Sequence, residues 1–320
     1  GYLNLVPWEQ LLQPALAMPM LRLPDFVANP PRESLSRFEV ALCGSTPAAK
    51  SQFTVADHLL GIAELLLATV PRRTTVHIFT DIEWFDTVRD GVAQRNFSDV
   101  IVHDPANSAA AGAPRTDSAS VDGGRVQSPW LLWMRDALNG RSIDMVQFLT
   151  HGYMMRDSGA LALAESPLRN RDRSYARFVD AGELLTFLTQ SGAWCAAFSS
   201  PEGNYSEMGL RLLADTVAQL RPGPVLHHET RLDPDRAALA EAYRFLFGRS
   251  ESPPPGSPAL FTYCHPSLVQ QSEPAMQTMG WATRTPAFTA TTAAEESINA
   301  AYDAAEYLPS WVGSSQRYIE

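Results

Sequence analysis

Cysteine is scarce in this chain: Cys43, Cys195 and Cys264 are odd in number and unclustered. That excludes a disulfide scaffold and suits a reducing compartment. Positive charge is short as well, with 25 Lys and Arg against 35 Asp and Glu and a formal net charge of −10. Neither nucleic acid nor an anionic bilayer is served by that balance. The local cluster Arg169-Asn170-Arg171-Asp172-Arg173 is simplest as a solvated loop. No apolar stretch reaches the roughly 18 residues that span a bilayer, and no basic-then-apolar signal is present. These absences predict a cytoplasmic protein with no membrane and no nucleic-acid partner.

Several chemical signatures are missing too. There is no Cys-x-x-Cys and no His-Glu-x-x-His, and the fragments His227-His228-Glu229 and Cys264-His265 do not supply the three or four convergent ligands of a zinc site. Gly44-Ser45-Thr46-Pro47 could cradle a phosphate, but neither dinucleotide nor P-loop spacing accompanies it. A Gly-x-Ser-x-Gly elbow, the mark of α/β-hydrolases, is absent. No metal and no cofactor are expected. A nucleotide-binding reading would require a phosphate site at Gly44 or Gly152.

What is present is a globular composition, 45% hydrophobic and 19% charged over 320 residues. Apolar runs alternate with helical periodicity, which predicts an α/β sheet covered on both faces. The strands expected are 38–43, 75–80, 100–103, the run ending at His151, a short piece at 160–163, the run ending at Ser199, 225–228 and 259–264. Between them, Thr54 with Asp57 predicts a capped helix to Val70, and Asp180 with Glu183 another to Gln190. A helix is also expected from Ser206. Asp233-Pro234 has the form of an N-cap and N1 pair for a helix closed by Gly248. Residues 105–128, rich in Ala, Ser, Gly and Asp, predict a flexible insert. Beyond 275 the composition shifts to Ala, Thr and Glu, predicting a C-terminal helical extension or linker over 276–320 with a helix near 293–307.

Two of the apolar runs end on chemistry. Ile143 to Thr150 leads into His151-Gly152, and Ala193 to Phe198 leads into Ser199-Ser200-Pro201. Both predict buried strands that deliver a reactive type of side chain to one sheet edge. For His151 the plainer alternative is a histidine satisfied by hydrogen bonds at a strand end, and for Ser199 an ordinary turn serine before Pro201.

Four segments in order resemble a CHAT domain, a caspase-like module of the cysteine-peptidase clan that includes separase. They are Val6-Pro7-Trp8-Glu9-Gln10-Leu11-Leu12; Phe38 to Gly44 with the Thr54 helix; Phe148-Leu149-Thr150-His151-Gly152; and Ala196-Ala197-Phe198-Ser199 with the helix and strand behind it. The resemblance covers roughly residues 1–270, and the domain it implies is expected to span 1–275. It implies a caspase-like three-layer sandwich with a mostly parallel central sheet, and peptide-bond hydrolysis in bacterial regulation or defence. His151 would be the general acid and base, position 199 the nucleophile, and the backbone of Gly152 and Ser200 the oxyanion site. The partner would be a protein or peptide substrate, or a regulatory protein.

One position departs from that pattern: Ser199 stands where the family carries cysteine. A thiol beside an imidazole yields thiolate at neutral pH, whereas a serine hydroxyl needs a base oriented by a third group. No such orienting Asp or Glu stands out in the sequence, so Ser199 with His151 is expected to be a very poor catalyst. Two explanations stand open, a Cys→Ser substitution that traps a peptidase, or a natural serine in a pseudopeptidase kept for binding. Ser200 or Cys195 could instead be the relevant group if the register differs, although Cys195 lies mid-strand as a core thiol would.

Overall fold

Strands covered on both faces cannot alternate apolar with polar residues, and they read as unbroken apolar runs. Val40 to Cys43 shows the effect, with Val40, Ala41, Leu42 and Cys43 all fully buried. The computed structural model describes residues 7–16, 20–22, 37–45, 47, 54–107, 126–155, 158–168, 176–201, 207–221, 223–248 and 252–264. The strands are β1 (Arg37–Ser45), β2 (Arg73–Thr80), β3 (Val100–His103), β4 (Met145–Met155), β5 (Ser158–Leu163), β6 (Arg177–Asp180), β7 (Cys195–Ser200), β8 (Val225–Glu229) and β9 (Leu260–Tyr263). The helices are α1 (Trp8–Leu16), α2 (Val55–Thr69), α3 (Ile82–Gln94), α4 (Pro129–Leu138), α5 (Ala181–Gln190), α6 (Glu207–Leu220) and α7 (Ala237–Phe247). None of these helices is long and apolar enough to cross a membrane.

Across the sheet the order is β3-β2-β1-β4-β7-β8-β9, with β5 and β6 branching from β4. Along that order every pair from β3 to β8 is parallel and β9 joins antiparallel, as do β5 to β4 and β6 to β5 in the branch. The sheet is thus mostly parallel, and its strands deliver their C-terminal ends to one edge. Two cores flank it. On one side Trp130 and Trp133 of α4, Phe187 of α5, and Leu213 and Val217 of α6 pack on Val146, Phe148 and Phe198. On the other, Leu59 and Ile62 of α2 and Leu239 and Tyr243 of α7 pack on Leu42, Met145 and Leu149. Helix, sheet and helix make three layers.

Local signals explain most boundaries. Asp180 caps α5 by accepting from the amide of Glu183 at 2.9 Å, as its sequence predicts. Asn139, left-handed at φ 47°, and Gly140 close α4. Thr54 stands at the N-cap of α2, but its hydroxyl makes no capping bond. Asp233 is not the N-cap of α7: it closes the short turn Thr230–Leu232, a left-handed Arg236 stands between it and the helix, and the helix starts at Ala237.

The larger departure is β4. The sequence ends this strand at His151-Gly152, yet it continues to Met155 and changes partners on the way. Met145 to Thr150 pair with β1, and Met145 to Leu149 with β7; from His151 on, the strand pairs antiparallel with β5. The hairpin is pinned by α6. A Cβ on Gly159 would lie 2.0 Å from the carbonyl oxygen of Gly209, and one on Gly209 would lie 2.7 Å from the Tyr153 backbone, so only glycine fits at either contact. Of the expected insert, Pro105–Asn107 forms a short turn; 108–125 and the expected C-terminal helix at 293–307 lie outside the described residues.

Candidate functional site

Ser199 lies at the edge where β4 and β7 run side by side, with Leu149 opposite it in register. Strand alternation turns it toward α7, and the side chain is wholly buried. Its hydroxyl is the middle of a hydrogen-bonded chain. The Tyr243 hydroxyl donates to Oε1 of Gln147, and Nε2 of Gln147 donates to Ser199 Oγ at 2.9 Å. Ser199 then faces Nδ1 of His228 at 3.4 Å, a long contact. His228 Nε2 meets Asp233 Oδ2 at 3.1 Å. An ionised carboxylate only accepts, so the imidazole proton sits on Nε2 and Nδ1 is left to accept from serine. Every donor in the chain points toward Asp233.

Asp233 is held from the far side by the amides of Ala238 at 3.1 Å and Leu239 at 3.0 Å. Burial alone would raise its carboxyl, but the His228 bond and these two amides outweigh burial and hold it below the usual carboxylate range. The opening turn of α7 adds the favourable end of its dipole. Here then is an orienting carboxylate that sequence reasoning missed. Its signal was visible as Asp233-Pro234, read as a helix cap; that it serves His228 emerges only when β8 is placed beside β7. Nearby, His58 on α2 is pushed down to about 4, by burial first and then by Arg236.

The other predicted site residues reach the same edge. His151 lies two residues beyond Leu149, on the same side of β4 as Ser199 by alternation. It is buried, and it falls where the strand passes from β7 to β5. Gly152 sits opposite Leu161 of β5. Ser200 faces the opposite side of the sheet from Ser199; its hydroxyl approaches the His228 carbonyl at 3.4 Å and its carbonyl accepts from Thr230 Oγ1 at 2.7 Å. His151 and Ser199 are therefore on adjacent strands, and the imidazole that meets the Ser199 hydroxyl belongs to His228.

None of the cysteines offers a replacement nucleophile. All three are buried. Burial pushes the Cys43 thiol far up and that of Cys264 to about 12, so neither carries thiolate at neutral pH. Gly44 is occupied with packing: a Cβ there would meet Val55 and Leu59 of α2 at 2.7 Å. The run His227-His228-Glu229 alternates across the sheet. His228 turns toward Asp233, while His227 lies tilted against Phe261 and Glu229 pairs with Arg211 at 3.2 Å. Three successive strand residues cannot converge on one ion, and among the described residues no group of three or more His, Cys, Asp or Glu could hold a metal.

A second imidazole chain occupies the other flank of the sheet. His77 Nε2 meets Glu39 Oε2 at 2.9 Å, and His77 Nδ1 meets His103 Nε2 at 2.9 Å. With Glu39 accepting, both rings are neutral and both donate toward it. Phe79 stacks on His103 with centroids 4.4 Å apart. His103 also lines a cavity of about 420 Å³ with Asp104, Asn107, Trp133 and Asp136. Burial and the neighbouring His77 and Arg141 push His103 down to about 4.

Compared with models of known protein families and with curated proteins, the chain matches none.

Proposed function

We propose that this chain is a caspase-like scaffold of the CHAT type, acting in the cytoplasm, that receives an extended peptide at the C-terminal edge of β4 and β7. With serine at position 199 it does not turn that peptide over. The observation that carries the reading is the pairing of β4 with β7, which brings His151-Gly152, within β4, and Ser199-Ser200, at the end of β7, to the same edge of a mostly parallel sheet. The shared edge supports the resemblance, which pairs the two positions, although the imidazole in contact with Ser199 is that of His228. In such a site a thiolate at 199 would attack the scissile carbonyl, an imidazole would protonate the leaving amine, and backbone amides would hold the oxyanion. A regulatory or defence context belongs to the same reading.

The second reading is a pseudopeptidase that keeps the cleft for binding a regulatory protein. One observation favours it: the Ser199 hydroxyl is fully buried and committed to Gln147 and His228. A group with both hydrogen bonds already made inside the core is a packing element in this state.

The test compares peptide and self-cleavage by the parent, Ser199→Cys and Ser200→Cys, each checked for folding by circular dichroism. Thiol-dependent cleavage confined to Ser199→Cys is the expected result for a peptidase scaffold. Peptide binding without cleavage in any of the three supports the binding module. Cleavage confined to Ser200→Cys moves the nucleophile by one residue, and absence of both binding and cleavage overturns the proposal.

A further inference from the structure

The hairpin beyond His151 carries a surface that the peptide reading leaves unused. Two cross-strand rows lie on one face of it. His151 of β4 pairs with Ala162 of β5, which pairs with Phe178 of β6; Tyr153 pairs with Ala160, which pairs with Asp180. Alternation puts all six residues on the same side. In these two rows the central strand contributes only the methyl groups of Ala160 and Ala162, so the rings of Tyr153 and Phe178 close over it diagonally. Their centroids are 4.2 Å apart at 27°, a stacked pair of the kind that cross-strand diagonals support.

This pair sits at the surface and not in the core. Tyr153 is 42% exposed and Phe178 44%. Met154, also exposed, alternates to the other face of the strand, where Gly159 meets α6, and is not part of this surface. Exposed apolar residues scattered singly need no explanation, whereas two aromatic rings already stacked on each other at the surface form one contiguous apolar area. Asp180, the one charged member of the two rows, spends its carboxylate on capping α5. The face offers a ligand apolar area and little charge.

We infer that Tyr153 and Phe178 form an aromatic platform that seats one large apolar side chain of the peptide bound at the His151 edge, and so sets sequence preference there. The inference rests on the peptide-binding reading above. What ties the platform to that site is continuity: Phe178 shares a cross-strand row with His151, and Tyr153 follows it by two residues on the same strand. A peptide passing over His151-Gly152 has this face as its next wall. Two rings already stacked lose little rotamer freedom when a third group lies on them, which is how preorganised aromatic contacts gain affinity.

The experiment measures binding of a positional-scanning library of end-blocked octapeptides to the full chain by fluorescence anisotropy. It is repeated with Tyr153→Ser/Phe178→Ser and with Tyr153→Phe, folding being checked by thermal melting. The parent is expected to prefer Phe, Tyr, Leu or Met over Ala at one position by about tenfold. The double variant should lose that preference while binding the Ala peptides as the parent does, and Tyr153→Phe should retain it. An unchanged preference in the double variant, or peptide binding by the parent with no apolar preference at any position, overturns the platform and leaves the peptide reading standing. No binding of any peptide by the parent or by Ser199→Cys overturns the peptide reading, and the platform with it.

Discussion

The two buried imidazole chains use the same chemistry to opposite ends. In one, Asp233 is gripped by two amides of α7 and by His228, and the chain runs inward through Ser199 and Gln147 to Tyr243 without reaching solvent. In the other, Glu39 holds His77 and His77 holds His103, whose ring borders a cavity. The Glu39 side chain retains 14% exposure, whereas that of Asp233 retains 5%. A closed chain serves as structure, fixing tautomers and rotamers in the core; an open one can exchange a proton with what enters the cavity. The difference comes from what ends the chain away from its carboxylate, the buried Tyr243 hydroxyl in one case and space in the other.

Removing the anchors should separate the two most sharply. Asp233→Ala strands His228 and two helix amides, and is expected to cost about 3–5 kcal/mol in urea unfolding. Glu39→Ala, at a carboxylate partly open to water, should cost about 1–3 kcal/mol. Equal losses would dissolve the distinction between closed and open chains.

Acid should reveal the chains in different windows. The folded state keeps His103 and His58 neutral down to about 4, against an ordinary value of 6.5. Between those limits the unfolded chain binds more protons, so stability falls as pH falls from about 6.5 to about 4. Asp233 acts lower: its folded value lies below its ordinary 3.8, so its contribution is present above that value and is lost only as pH drops through the folded one. Urea midpoints measured against pH should show His103→Gln flattening the upper window and Asp233→Asn the lower. A single shared window would show that the chains are coupled.

Smaller effects remain. Ser199→Ala should cost about 1 kcal/mol, since it removes one long hydrogen bond and leaves Gln147 an unmatched donor; a loss above about 3 kcal/mol would show that the hydroxyl carries the network. Tyr153→Ser/Phe178→Ser lies outside both chains and should shift unfolding by only about 0.5 kcal/mol.

Much of the fold was legible because the sheet is covered on both faces. Apolar runs such as Val40 to Cys43 and Cys195 to Phe198 announce themselves, and Asp180 with Glu183 marks its helix by a bond that forms as expected. The continuation of β4 and the strand β6 were hidden for the converse reason. Tyr153, Met154 and Phe178 are exposed, so the hairpin lacks the buried run that betrays the others. His151 and Ser199 could be found as strand ends. Gln147 and Tyr243 could not, since one is a polar group inside an apolar run and the other a ring on the buried face of a helix, and only the tertiary pairing of β4, β7 and α7 links them to a serine. His228 and Asp233 were seen separately, one as a fragment of a metal motif and the other as a cap.

The backbone interlock of Gly159 with Gly209 has a mechanical meaning. With no side chain between them, sheet and helix touch as two hard surfaces, so the hairpin cannot bend away from α6 by rotamer changes alone. Any displacement of the strand bearing His151 has to be transmitted to α6 as a rigid shift, and a single added methyl at either glycine would wedge the two apart.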